Sequence, residues 1–152
     1  MVGVTVGVGL GWATAKITPE WAVTALVGLI GAVFSLRLLM RRGAVEPRTA
    51  EVGPGLFWGA LTGFTSFVSH AGAPPYQVYT LPLGLTKAVF AGTSTIAFAI
   101  INAVKLVPYW HLGQLSAANL KVAVVLMPVA AVAVFAGVKL VKWLPEALFF
   151  RC

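Results

Sequence analysis

The chain reads as an all-α integral membrane protein, a polytopic helical bundle with one Gly/Pro-broken helix, re-entrant or discontinuous. Three observations predict this class. Of the 152 residues, 59% are hydrophobic and 10% charged, with a mean hydropathy of +0.93, whereas a soluble domain carries roughly 25% charged residues. The few charges gather between long apolar runs, which is how spans and loops alternate. Finally, His70-Ala71-Gly72-Ala73-Pro74-Pro75 breaks a helical pattern inside an apolar region. In a membrane such irregular backbone is tolerated only where protein buries it or where it lines a polar cavity.

The elements follow in chain order. Val2 to Ala15 is apolar with Gly3, Gly7 and Gly11 at spacing four, a face that lets another helix backbone approach closely. It falls short of the roughly 20 residues a bilayer core requires, so its beginning is expected to be missing. Lys16 to Pro19 is a turn in which Thr18 can cap, Pro19 fits the first helical position and Glu20 suits the positive helix end. A span from Trp21 to Leu39 follows and ends among Arg37, Arg41 and Arg42. Gly43 to Gly53 is the most polar stretch and reads as a loop. Pro54 to Ser69 repeats the four-spaced glycine face with Gly55, Gly59 and Gly63, and Tyr76 to Thr86 is a shorter apolar run beyond the break. Ala88 to Val107 is the next span, closed by Pro108-Tyr109-Trp110, and Asn119 to Val138 the last complete one, with Pro128 inside it. Leu148-Phe149-Phe150 reads as the start of a further apolar run, so the expectation is a truncated chain or a half-length protein.

Residues 55 to 86 as one straight helix would measure about 48 Å at 1.5 Å per residue, against about 30 Å of hydrocarbon. One straight span is therefore excluded, and the stretch either doubles back as a hairpin or crosses as a broken helix. The hairpin puts Arg37, Arg41, Arg42, Arg48, Lys87, Lys139, Lys142 and Arg151 on one side and Lys16, Lys105 and Lys121 on the other. The crossing helix nearly abolishes that asymmetry. The positive-inside rule favours the hairpin.

The composition also excludes function classes. The net charge of +7 could suggest nucleic acid, but the basic residues flank apolar spans and form no basic stripe with interleaved aromatics. Cys152 is the single cysteine, so no intramolecular disulfide is possible. His70 and His111 lack paired acids, which supports neither a metal site, a cofactor nor a hydrolytic enzyme. The acidic residues Glu20, Glu46, Glu51 and Glu146 all lie at span ends or in loops. Cation paths place carboxylates at membrane depth, so their absence leaves an anion or a neutral solute.

Anion binding has a physical basis at the break. Pro74 and Pro75 can open a second half-helix whose first free amides, on Tyr76 and Gln77, face the break with the positive end of the dipole. The alternative is that the prolines only end the first helix and neighbouring helices satisfy those amides. His70 can donate to an anion or serve as a neutral structural group. On the following span Thr93, Ser94 and Thr95 place hydroxyls in one turn, while Thr95 and Asn102 share a face. Lys105, one turn beyond Asn102, either brings a cation to the same path or snorkels to the interface, the ordinary behaviour of a membrane lysine.

The run Gly63-Phe64-Thr65-Ser66-Phe67-Val68-Ser69-His70-Ala71-Gly72-Ala73-Pro74-Pro75, then Leu81-Pro82-Leu83, Phe90-Ala91-Gly92-Thr93-Ser94 and Asn102-Ala103-Val104-Lys105-Leu106-Val107-Pro108-Tyr109, resembles the second half of the sulfite exporter TauE/SafE family. Residues 1–42 resemble, more loosely, the end of its first half. The resemblance implies two helices of a first repeat in 1–42, a cytoplasmic loop in 43–53 and a second repeat in 54–152. It also implies a bacterial inner-membrane permease exporting or importing a small sulfur-containing anion, sulfite or an organosulfonate, with no catalytic residues. His70, Gly72, Pro74 and Pro75 would be the broken-helix motif, and Gly92, Thr93, Asn102 and Lys105 the polar motif of the next helix. Ala73 replaces a glycine common there. The substrate-binding set expected from residues and resemblance together is His70, Gly72, Pro74, Pro75, Tyr76, Gln77, Thr93, Thr95, Asn102 and Lys105. The expected partners are the small anion, the lipid bilayer, and a preceding half or a second copy of the chain. The competing reading is a non-transporting membrane assembly or remnant domain that needs a partner.

Overall fold

A computed structural model describes residues 1–15, 17, 19–40, 47–145 and 149. The expectations on Lys16, Thr18, Arg41, Arg42, Glu46, Glu146, Leu148, Phe150, Arg151 and Cys152, and on the side chains of Glu20 and Arg37, lie outside the described residues. Those residues contain helices and no strand. The elements are α1 (Val2–Thr14), α2 (Glu20–Met40), α3 (Val52–Ser69), α4 (Ala73–Thr80), α5 (Lys87–His111) and α6 (Ala117–Trp143), with a single 3₁₀ turn at Leu81–Leu83 after α4.

The tightest interface is α1 on α3, and glycine makes it possible. A Cβ at Gly7 would overlap the carbonyl oxygen of Ala60 and lie 2.7 Å from its carbonyl carbon, and one at Gly63 would lie 3.0 Å from the carbonyl carbon of Val4. Gly3 meets Leu56 and Gly11 meets Phe67, so residue numbers rise together along the contact and the two helices run parallel. Close backbone approach of this kind supplies van der Waals contact where lipid offers no hydrophobic drive. The expected glycine face divides, however. Gly63 meets α1, Gly59 has ordinary room at 3.5 Å from the Val4 nitrogen, and Gly55 faces Tyr79 of α4 at 3.0 Å.

After α3 the chain reverses. The Tyr79 hydroxyl donates to the Glu51 carbonyl (3.0 Å), and the Arg48 amide donates to the Pro82 carbonyl (2.8 Å). The end of the α4 segment therefore lies beside the start of α3. Lys87, which opens α5, donates through Nζ to the carbonyls of Lys142 (3.4 Å) and Leu144, which makes α5 and α6 antiparallel. One end of the molecule thus collects Arg48, Lys87 and Lys142. At the other end Trp12 stacks on His111, with ring centroids 5.7 Å apart.

Several helix limits differ from the sequence reading, and two of them have a local cause. The helix expected to stop at Val107 continues through Pro108 to His111. It stops instead at Gly113, whose φ of 70° suits a residue without Cβ. The amides of Gly113 and Gln114 return to the carbonyls of Trp110 (3.0 Å) and Tyr109 (3.0 Å), a Schellman closure. Likewise α6 begins at Ala117, because the Ser116 hydroxyl accepts from the Asn119 amide (3.2 Å) and so caps it. Among the described residues α5 and α6 are long and apolar enough to cross a membrane. None of α6 is buried within the chain, so its apolar surface is left for lipid or for another chain.

Candidate functional site

The site grows out of how α3 ends. His70 caps the helix in the left-handed region, φ 56°, a conformation that costs a non-glycine residue roughly 1–2 kcal/mol. The Ala71 amide returns to the Thr65 carbonyl (3.2 Å), and the carbonyls of Ser66 and Phe67 take their partners from α5. The Lys105 ammonium donates to the Ser66 carbonyl (3.0 Å) and to its Oγ (3.1 Å). One turn on, the Tyr109 hydroxyl donates to the Phe67 carbonyl (3.1 Å) and lies 3.4 Å from His70 Nε2. Lysine and tyrosine at spacing four on α5 thus close the end of α3.

Lys105 is 3% exposed. Snorkelling to the interface is therefore corrected: the side chain turns inward, because α5 buries the stripe Ala97, Ile101, Lys105 and Pro108. Among the described residues no carboxylate lies within ion-pair distance of its ammonium, whereas Arg48 pairs with Glu51 at 3.3 Å on the surface. Burying an ammonium without a counter-charge is expensive. An ammonium has three donors, and the Ser66 oxygens occupy two of them.

Gly72 is buried where the linker crosses α3, and a Cβ there would sit 2.8 Å from Ser66 Cβ and 3.1 Å from the Thr62 carbonyl. Gly72→Ala is accordingly expected to push on the residue that holds Lys105 and to destabilise the protein by about 2 kcal/mol. Thermal unfolding in detergent checks this, and a melting temperature equal to wild type would show that the linker gives way freely.

The start of α4 corrects a second expectation. The helix opens at Ala73, so Pro74 and Pro75 occupy its first turn, where their missing N–H groups cost nothing. The Tyr76 amide donates to the Gly72 carbonyl (3.3 Å) and is not free, and Gln77 lies inside the helix. Of the amides in that turn only that of Ala73 remains, so this terminus offers no cradle of N–H groups.

The other expected residues separate into two groups. Tyr76 and Thr93 line a cavity of about 440 Å³ between α1, α3, α4 and α5, together with Thr62 and Ile101. The Ser94 hydroxyl donates to the Tyr76 hydroxyl (3.3 Å), and the ring of Tyr76 meets Phe98 edge-on at 5.3 Å. Thr95 and Asn102, by contrast, are exposed and are not brought to either cluster. Thr95 spends its hydroxyl on the Ala91 carbonyl (2.9 Å). At 100° per residue Thr95 is about 200° from Ala97 and Asn102 about 100° from Ile101, off the buried stripe. Ser66, Tyr109 and Thr62 were missing from the expected set. Tyr109 could have been found from its spacing of four to Lys105, whereas Ser66 becomes visible only through the helix end.

A family model described as sulfite exporter TauE/SafE matches residues 1–152, the whole chain. The chain belongs to the sulfite exporter TauE/SafE family. This is a family of membrane-integral transporters of sulfite and related sulfur anions, and α5 and α6 are the spans among the described residues that fit it by length and composition. No curated protein and no solved structure matches this TauE/SafE chain.

Proposed function

We propose that this chain is the anion-binding part of a permease that carries a small sulfur-containing anion, sulfite or an organosulfonate, across the bacterial inner membrane, and that Lys105 is the group that attracts the anion. The observation carrying this reading is the buried ammonium, which has no carboxylate partner among the described residues. In a low-dielectric bundle a cation without a carboxylate partner favours whatever negative charge can reach it, and an oxyanion supplies acceptors for the remaining Lys105 donor. Ser66 orients the ammonium, Gly72 packs the turn against Ser66, and His70 and Tyr109 stand at the same end of α3, opposite Arg48 and Lys87. The pair α3 and α4 acts as a re-entrant hairpin, with the Arg48 and Lys87 end cytoplasmic by the positive-inside rule. Thr95 and Asn102 carry no part of this reading within the chain.

Sulfite at millimolar concentration is expected to raise the melting temperature of the full-length protein in detergent. Exchanging sodium for choline at constant sulfite should change nothing. Stabilisation by the cation series and none by any oxyanion would reverse the sign of the site.

A further inference from the structure

The cavity and Lys105 are neighbours with a wall between them. On α3, Thr62 lines the cavity and Ser66, one turn on, holds the ammonium. On α5, Ile101 lines the cavity and Lys105 follows one turn on. Ile101 is fully buried at 0% exposure and fills the level between the two. At its far end the cavity is lined by Met1, Glu51 and Leu83, the end that also carries Arg48 and Lys87.

Hydroxyl-bearing residues of three helices line this space. Thr62 Oγ1 is buried without a hydrogen-bond partner, which is costly for a polar atom and calls for an explanation. The Tyr76 hydroxyl accepts from Ser94, which leaves its own proton to donate. Thr93 lines the same cavity from α5. Hydroxyls donate to oxyanions, and Glu51 at the mouth is the one acid among the described lining residues.

We propose that this cavity is a second subsite, in which the hydroxyls of Thr62, Tyr76 and Thr93 hold a small oxyanion one helical turn before Lys105, with the Ile101 side chain dividing the two stations. The subsite rests on the anion reading of Lys105, since it is a station on the route to that residue. A water molecule is the competing occupant of an unpaired buried hydroxyl. The two differ in what removal of the hydroxyl does to transport.

The test uses the full-length protein in proteoliposomes, with sulfite as probe. Thr62→Val keeps the branched shape and removes the unpaired oxygen, so its melting temperature is expected to equal or exceed wild type. The sulfite concentration for half-maximal flux is expected to rise about tenfold, the worth of one hydrogen bond, and Thr62→Ser should stay near wild type. In a Cys152→Ser background, Ala97→Cys reports the cavity directly. Sulfite should slow its reaction with an anionic thiol reagent, Thr62→Val should remove that protection, and Lys105→Met should leave it in place. Wild-type half-saturation and undiminished protection in Thr62→Val would overturn the subsite and leave only a hydrated hydroxyl, without touching the Lys105 reading. Wild-type flux in Lys105→Met would instead strike that reading, so the two fail separately.

Discussion

Lys105→Met is expected to fold, to melt close to wild type and to keep only the part of the sulfite-induced stabilisation that comes from the cavity subsite. The substitution has opposing effects on stability. It strips a donor from the buried Ser66 carbonyl and Oγ, which costs about 1–3 kcal/mol. It also removes a charge that no carboxylate among the described residues compensates, and apolar replacement of buried charged groups is often neutral or stabilising by about 1–4 kcal/mol. The two nearly cancel. Anion affinity has no such offset, because a charge-assisted hydrogen bond contributes about 1.5–3 kcal/mol, so a loss of roughly 10- to 100-fold follows. Tyr109→Phe is the informative companion. It deprives the Phe67 carbonyl of its partner just as Lys105→Met deprives that of Ser66, yet keeps the ammonium. If Lys105 only closes the end of α3, the two variants should resemble each other in every assay. If it attracts the anion, Tyr109→Phe keeps the whole sulfite response and Lys105→Met only the share that belongs to the cavity.

Gly7→Ala is expected to destabilise by about 3 kcal/mol, at the upper end of what overpacking costs, and to lower the yield of monodisperse protein. The new methyl would overlap the Ala60 carbonyl, and backbone cannot step aside as a side-chain tip can. α1 must therefore slide or lift along its whole contact with α3, forfeiting the close approach at Gly3 and Gly63 as well. Gly9, two residues on, faces open space. Gly9→Ala should be neutral or better by up to about 1 kcal/mol, since alanine is the stronger helix former. Equal melting temperatures for the two variants would show that the α1–α3 contact contributes little.

These contrasts also mark what the sequence could convey. The four-spaced glycines of α1 and α3 announced a close contact, because in a membrane helix small residues have few other reasons to recur on one face. They did not announce that Gly55 would face α4, since that depends on the chain reversing after Ser69. The ends of α3 and α4 near His70 and Ala73 were legible from proline chemistry. The fate of the α4 amides was not, because the helix starts one residue earlier, at Ala73, and the Gly72 carbonyl takes the Tyr76 N–H. On α5 both the Ala97, Ile101 and Lys105 stripe and the Thr95 and Asn102 stripe are plausible inner faces. Lipid accepts apolar side chains as readily as a protein interior does, so hydrophobicity alone could not choose between them. The decision came from the end of α3, where unpaired carbonyls draw in the nearest long donor, and Lys105 is that donor.

Sulfite flux into proteoliposomes holding matched amounts of full-length wild type, Tyr109→Phe and Lys105→Met decides whether Lys105 attracts the anion. Saturable flux is expected for the wild type, flux within a fewfold of it for Tyr109→Phe, and flux at the level of protein-free vesicles for Lys105→Met at the same sulfite concentration. Flux in Lys105→Met equal to that of Tyr109→Phe would contradict that role, and would leave Lys105 as a cap on α3 and nothing more.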